Sequence, residues 1–294
     1  MFSRPFARFR SKLFVPGTRP ELFDKALNGS ADALSFDLED AVLPEAKARA
    51  RADVAAALAR AAALPRRPLV IVRVNAPGTP WFEDDLRALI RPGLDWINLP
   101  KAESAADVRH VARLLGGLEA AAGRAAPVGL LVNVESATAL RRAADIGAAH
   151  PRVTGLQLGL ADLYEPLGIE RRDAANVHAT LHALRMAAAA AGVPAYDGAF
   201  PDLADLDGFR AEAQMARRLG FAGKSCIHPR QVEPANEVFG PSADELVWAG
   251  RVDAAATQAE TEGRGVVVVD GRMIDAPFVQ RARQLLHAFR GVNP

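Results

Sequence analysis

Three acidic clusters and one arginine stand inside or directly after short apolar runs. Asp37-Leu38-Glu39-Asp40 closes a run that begins at Ala33, Glu135-Ser136 follows Val128–Val134, and Asp162 ends Gly159-Leu160-Ala161-Asp162. Arg73 interrupts Leu69-Val70-Ile71-Val72-Arg73-Val74-Asn75. Carboxylates gathered from different elements repel one another unless a cation or a proton compensates, and hard oxygen donors without His or Cys suit magnesium or manganese. Mg2+ held by one or two protein carboxylates keeps positions for water and substrate oxygens, so Glu135 and Asp162 suffice as anchors and leave room for a 2-oxo acid. Taken singly, each acid is what an N-cap or a solvated loop uses; only the set points to a site. Arg73 is open to two readings. A charge within an apolar run needs a partner, which a neighbouring carboxylate supplies in a structural ion pair. Alternatively, its planar guanidinium clamps a substrate carboxylate through two parallel hydrogen bonds.

These side chains need elements that deliver them to one place. Short Val, Ile and Leu-rich runs alternate with longer Ala, Arg and Leu stretches of helical period, the pattern of strands covered by helices on both faces. Eight strands are expected, at Lys12–Val15, Ala33–Asp37, Leu69–Asn75, Trp96–Leu99, Val128–Val134, Gly155–Gly159, Pro194–Asp197 and Lys224–Ile227. Helical periods lie between them, near 20–28, 44–63, 81–90, 104–122, 136–147, 176–191 and 205–219. Eight parallel strands with intervening helices close into a TIM (β/α)8 barrel, whose chemistry gathers at the C-terminal strand ends. A doubly wound sheet would carry a Gly-rich first turn, and none follows the first strand. The barrel is expected over 1–230. Residues 231–294 then form an extension: a helix at 242–260, a hairpin Val266–Ile274 turning at Asp270-Gly271, and a helix at 277–290. This arm is expected to pack on the barrel or on a neighbouring subunit.

Composition narrows the partners. With 36 basic and 35 acidic residues the formal charge is +1, so there is no basic field to attract a nucleic acid. The single cysteine, Cys226, has no disulfide partner in the chain and reads as a buried strand residue, and no apolar run is long enough for a membrane span. A cytoplasmic location is expected. Residues 1–10 are basic and lack acids, which mildly imitates a transit peptide, but a strand pattern follows at once. The lysines number only five, at 12, 25, 47, 101 and 224, so each is more informative than usual.

The chain resembles the citrate lyase β-subunit-like family, which includes malyl-CoA, β-methylmalyl-CoA and citramalyl-CoA lyases. The matching motifs span nearly the whole sequence. They are Ser11-Lys12-Leu13-Phe14-Val15-Pro16-Gly17 with Arg19-Pro20-Glu21 and Lys25-Ala26; Asp37 to Val42 with Pro44 and Lys47; Val72-Arg73-Val74-Asn75; Leu99-Pro100-Lys101; Glu135-Ser136; Gly159 to Asp162; Gly223-Lys224 with Ile227-His228-Pro229; and Gly271 to Pro277. The resemblance implies a metal-dependent carbon–carbon lyase acting on a coenzyme A thioester. It implies that Glu135 and Asp162 bind Mg2+, with Mn2+ a substitute, that Arg73 binds the oxo-acid carboxylate, and that Phe14, Arg19 and Lys25 contact coenzyme A. It also implies that Glu39 and Asp40 lie close to the metal, and that Asp275, carried on a neighbouring subunit's tail in a homotrimer or hexamer, is a general acid/base. His228 reads as structural rather than as a proton carrier. Lys101 invites a Schiff-base reading, but the acidic rim favours a metal route. A thioester hydrolase on the same site, or a citrate lyase β-subunit acting on an acyl-carrier-protein thioester, are the alternative functions.

Overall fold

The computed structural model describes residues 8–292, with side chains through His287. Residues 1–7 of the basic N-terminal segment lie outside the described residues. The chain divides into two compact units, up to Phe239 and from Gly240.

The first unit is a closed barrel of eight parallel strands in sequence order. They are β1 (Ser11–Pro16), β2 (Ala33–Asp37), β3 (Leu69–Arg73), β4 (Trp96–Leu99), β5 (Gly129–Val134), β6 (Val153–Leu158), β7 (Ala195–Asp197) and β8 (Gly223–Cys226), with β1 paired to β8 to close the ring. The expected TIM barrel is therefore found, with every strand within two or three residues of its expected place. The helix 136–147 differs: it is broken at Arg142 into Ala137–Arg141 and Ala143–Ala148. Two helices were not expected, Leu160–Tyr164 after β6 and Val232–Phe239, which packs on β1 and β8 and stays with the barrel unit.

Alternation along the strands sorts side chains into two layers. Leu34, Phe36, Val70, Val72, Ile97, Leu130, Val132, Leu156 and Cys226 face outward into the main core beneath the helices. Inward-facing Phe9, Ala33, Ile71, Trp96, Leu131 and Tyr196 form a separate cluster that plugs one end, with the Phe9 and Tyr196 rings stacked at 3.9 Å. Further along the same strands the inward positions turn polar (Lys12, Asn98, Asn133, Gln157), and at the C-terminal ends they turn charged (Asp37, Arg73, Glu135). The barrel interior thus grades from an apolar floor to an ionic mouth.

The second unit has its own small core of Ala249, Val252, Val269, Ile274 and Ala282. A capping box between Ser242 and Glu245 starts its helix Ala243–Thr261. Strands β9 (Val267–Val269) and β10 (Arg272–Ile274) pair antiparallel through a two-residue turn. Asp270 and Gly271 both take positive φ there (52° and 74°), as a type I′ turn requires. The helix Ala276–Val292 follows.

Candidate active site

The β2 end supplies two acids by a backbone device. Asp37 accepts from the N–H groups of Glu39 (3.0 Å) and Ala41 (3.3 Å), curling the chain so that Glu39 and Asp40 return toward the barrel axis. Buried Lys47 holds the same turn from below, donating to the carbonyls of Leu38 (2.9 Å) and Glu39 (3.0 Å). Arg73, at the end of β3, donates to both oxygens of Asp37, from Nε and Nη2 at 2.7 Å each. Its Nη1 faces Glu39 Oε2 at 3.0 Å and Asp40 Oδ2 at 3.3 Å. The ion-pair reading of Arg73 is thus present in the fold, and one guanidinium nitrogen is turned toward the acids of the mouth. Asn75 points elsewhere, bonded to Asp85.

Lys101 closes the opposite side of this cluster. Its Nζ pairs with Glu39 Oε1 at 2.9 Å and reaches Asp40 Oδ1 at 3.5 Å. Its backbone is left-handed (φ 52°), a conformation disfavoured for a residue with a Cβ and characteristic of sites that need it. That twist aims the Lys101 N–H at Glu135 Oε1, 2.6 Å away. Asn133 Nδ2 donates to the other oxygen, Oε2, at 3.0 Å.

Gly159, at the end of β6, lets the next segment close on Glu135: a Cβ there would sit 2.6 Å from Glu135 Cβ and 2.9 Å from Oε2. Gly159 also caps the short helix Leu160–Tyr164, whose first turn carries exposed Asp162. Burial raises the proton affinity of Glu135, the Lys101 N–H opposes this, and the charge of Asp162 raises it further. The helix that carries Asp162 thus starts directly against Glu135. Glu39 is pushed up to about 7, by burial first, with Asp40 and Glu135 adding to it and Arg73 and Lys101 opposing. Burial would raise Asp37 too, but the charge and hydrogen bonds of Arg73 outweigh it and hold the carboxyl below its ordinary range.

The donor set fits a hard divalent cation. Each oxygen of Glu135 accepts one hydrogen bond and keeps a lone pair, and Asp162 adds a second carboxylate. Among the described residues no group of three or more His, Cys, Asp or Glu is placed to hold a metal ion.

Phe14 joins the cluster: its ring lies 4.1 Å from Lys12 Nζ and 5.2 Å from the Arg73 guanidinium carbon. Arg19 and Lys25 are exposed, and Arg19 is paired with Glu21. Among the described residues neither touches the acids of the mouth. His228 caps the turn Pro229–Gln231, its Nδ1 accepting from Arg230 N at 3.1 Å, which is a structural task. Asp275 lies in the second unit, at the start of the helix Ala276–Val292.

Residues 10–229 match the family described as HpcH/HpaI aldolase/citrate lyase. The chain belongs to this family. Members of the HpcH/HpaI aldolase/citrate lyase family that it resembles include a (3S)-malyl-CoA thioesterase of Cereibacter sphaeroides, 41% identical over 95% of this chain and 93% of the relative. Others are the citrate lyase subunit beta of Escherichia coli, 38% identical (94% and 92% covered), and an L-malyl-CoA/beta-methylmalyl-CoA lyase of Cereibacter sphaeroides, 35% identical (94% and 93%). Among solved structures, CitE from Mycobacterium tuberculosis in complex with magnesium, acetoacetate and coenzyme A superposes with a TM-score of 0.74 at 32% identity, covering 96% of this chain and 98% of that one. The family resemblance read from the motifs is borne out.

The sequence reading missed the polar layer beneath the mouth. Its signal was there: Lys12, Asn98, Asn133 and Gln157 each interrupt an apolar strand at an inward position, a period of two.

Proposed function

We propose that this chain is a carbon–carbon lyase that cleaves a 3-hydroxyacyl-CoA thioester of the malyl-, β-methylmalyl- or citramalyl-CoA type into an acyl-CoA and a 2-oxo acid, reversibly, with Mg2+ held by Glu135 and Asp162. The observation that carries the proposal is the packing of Gly159, which starts the Asp162 helix, directly against Glu135, whose two oxygens are held by the Lys101 N–H and Asn133 Nδ2 at the mouth that Arg73 Nη1 faces. Bound there, Mg2+ (or Mn2+) would supply Lewis acidity toward the substrate's hydroxyl and nascent carbonyl oxygens. Arg73 orients the carboxylate of the oxo-acid half through the nitrogen turned away from Asp37. Glu39, with its proton affinity near neutrality, takes the hydroxyl proton and returns it in the reverse direction. Asp275 delivers a proton to the thioester enolate, brought to the mouth by the tail of a neighbouring subunit in a homo-oligomer. Phe14, Arg19 and Lys25 contact coenzyme A, with the exposed cations Arg19 and Lys25, after β1, meeting its phosphates.

A second reading has direct support in the 41% identity to a (3S)-malyl-CoA thioesterase: water attacks the thioester on the same site, releasing free CoA and the hydroxy acid. The likeness to citrate lyase subunit beta also allows a role within a larger complex, on an acyl-carrier-protein thioester. One experiment separates these. The purified chain is incubated with malyl-, β-methylmalyl- and citramalyl-CoA, with and without Mg2+, and both products are identified. A metal-dependent oxo acid plus acyl-CoA supports the lyase; free CoA with intact hydroxy acid replaces it with the hydrolase; no turnover of any CoA thioester leaves the complex subunit.

A further inference from the structure

Three of the five lysines are buried, and two of them have obvious anchors. Lys224 Nζ is enclosed by Asp197 (2.5 Å) and Glu212 (2.7 Å), and Lys47 holds two backbone carbonyls. Lys12 is different. Fully buried on the barrel axis under the mouth, its amino group has no carboxylate in salt-bridge contact among the described residues; its hydrogen bond goes to a neutral amide, Asn98 Oδ1, at 2.9 Å. Burying a lysine in this way is costly, and an apolar side chain of the same length would avoid the cost.

The bond to Asn98 starts a chain with a fixed sense. Because Asn98 turns its oxygen to Lys12, its Nδ2 is left to donate to Asn133 Oδ1 (2.7 Å) and to the Leu131 carbonyl (3.1 Å). Asn133 Oδ1, which also accepts from Gln157 Nε2 (3.2 Å), is thereby turned down, and Asn133 Nδ2 is turned up to Glu135 Oε2 at 3.0 Å. An amide has one donating and one accepting end, so the end seen by the last group is decided by the first. We propose that Lys12 is a positioning residue for Glu135: by donating to Asn98 it sets both amides so that Asn133 presents N–H, and not C=O, to the carboxylate. Ammonium and neutral amine both donate, so this sense does not depend on the charge of Lys12. The inference rests on the reading of Glu135 as a magnesium ligand. Donors behind a ligating group fix its orientation, and losing them typically weakens metal binding about 10–100-fold.

The test is calorimetric titration of the substrate-free full-length chain with Mg2+, in wild type, Lys12→Met, Asn133→Leu and the double variant. Lys12→Met keeps length and removes the donor. The expected result is about 10-fold or more weaker Mg2+ binding in each single variant, and a double variant no weaker than Asn133→Leu, because Lys12 acts only through Asn133. Wild-type affinity in Lys12→Met, or losses that add in the double variant, overturn the inference while leaving the magnesium site standing. A wild type that binds no Mg2+ removes the ligand reading itself, and this inference with it. Should Lys12→Met fail to fold, Asn98→Ala breaks the same chain one link higher and is read by the same criteria.

Discussion

Arg73 and Asp37 form a two-point pair between adjacent strand ends, Nε to Oδ1 and Nη2 to Oδ2, both at 2.7 Å. The pairing register sets it, since Asp37 and Arg73 are direct neighbours across β2 and β3. It holds the guanidinium plane so that Nη1, and no other nitrogen, is presented to Glu39 and Asp40. Asp37→Asn keeps the shape but turns an amide N–H group toward the guanidinium and leaves a buried cation short of charge. The expected loss is about 3–5 kcal/mol of unfolding free energy, measured by urea denaturation. A loss under about 1 kcal/mol would mean that Glu39 and Asp40 hold Arg73 unaided.

Gly159→Ala tests the contact that brings the Asp162 helix onto Glu135. The added Cβ meets the Glu135 Cβ and Oε2, so one of them must move. Overpacking of this kind costs roughly 1–3 kcal/mol, little enough for the barrel to remain folded. Mg2+ affinity is expected to fall about 10-fold or more, since a ligand displaced by a fraction of an ångström loses its lone-pair direction. A folded Gly159→Ala with wild-type Mg2+ affinity would separate Glu135 from the cation.

Much of this arrangement was legible in the sequence, for definite reasons. Strand periodicity and the acids at strand ends revealed the barrel and its mouth, because a closed parallel sheet fixes where strand ends go. The Asp270-Gly271 turn was equally readable, since few dipeptides tolerate two positive φ values. Other features depend on partners far apart in the chain. Nothing around Lys101 announces its left-handed backbone, which follows from reaching Glu135, 34 residues on. The role of Lys12 depends on Asn98, 86 residues away, and then on Asn133. The short helix Leu160–Tyr164 was missed because it contributes too few apolar positions to show a period.

Glu39 makes stability depend on pH with a definite sign. Its proton affinity rises from 4.5 to about 7 on folding, so between those values the folded chain binds more protons than the unfolded one. Stability is therefore full below the unfolded value and falls as pH rises through about 7, by at most roughly 3 kcal/mol for the metal-free protein. Urea denaturation in a chelator, from about pH 5 to about pH 8, is expected to show this decline in wild type and a flatter profile in Glu39→Gln. Parallel profiles for the two proteins would assign the slope to other groups.

Asp275 offers a test of whether the tail serves its own barrel or a neighbour's. It begins the helix Ala276–Val292, accepting from the N–H groups of Phe278 and Val279 at 3.1 Å each through its backbone carbonyl. Among the described residues its Oδ1 is buried without a hydrogen-bond partner. Asp275→Asn preserves the helix start and, with Asp275 as the proposed proton carrier, should lower kcat about 100-fold or more with little change in Tm. Glu135→Gln should be inactive for a separate reason, loss of a metal ligand. Each variant then carries one intact half of the site. If tails cross between subunits of a homo-oligomer, co-expressing the two at equal levels pairs an intact barrel with an intact tail in about a quarter of the sites, and activity returns to that extent. A mixture as inactive as its components would confine each tail to its own barrel.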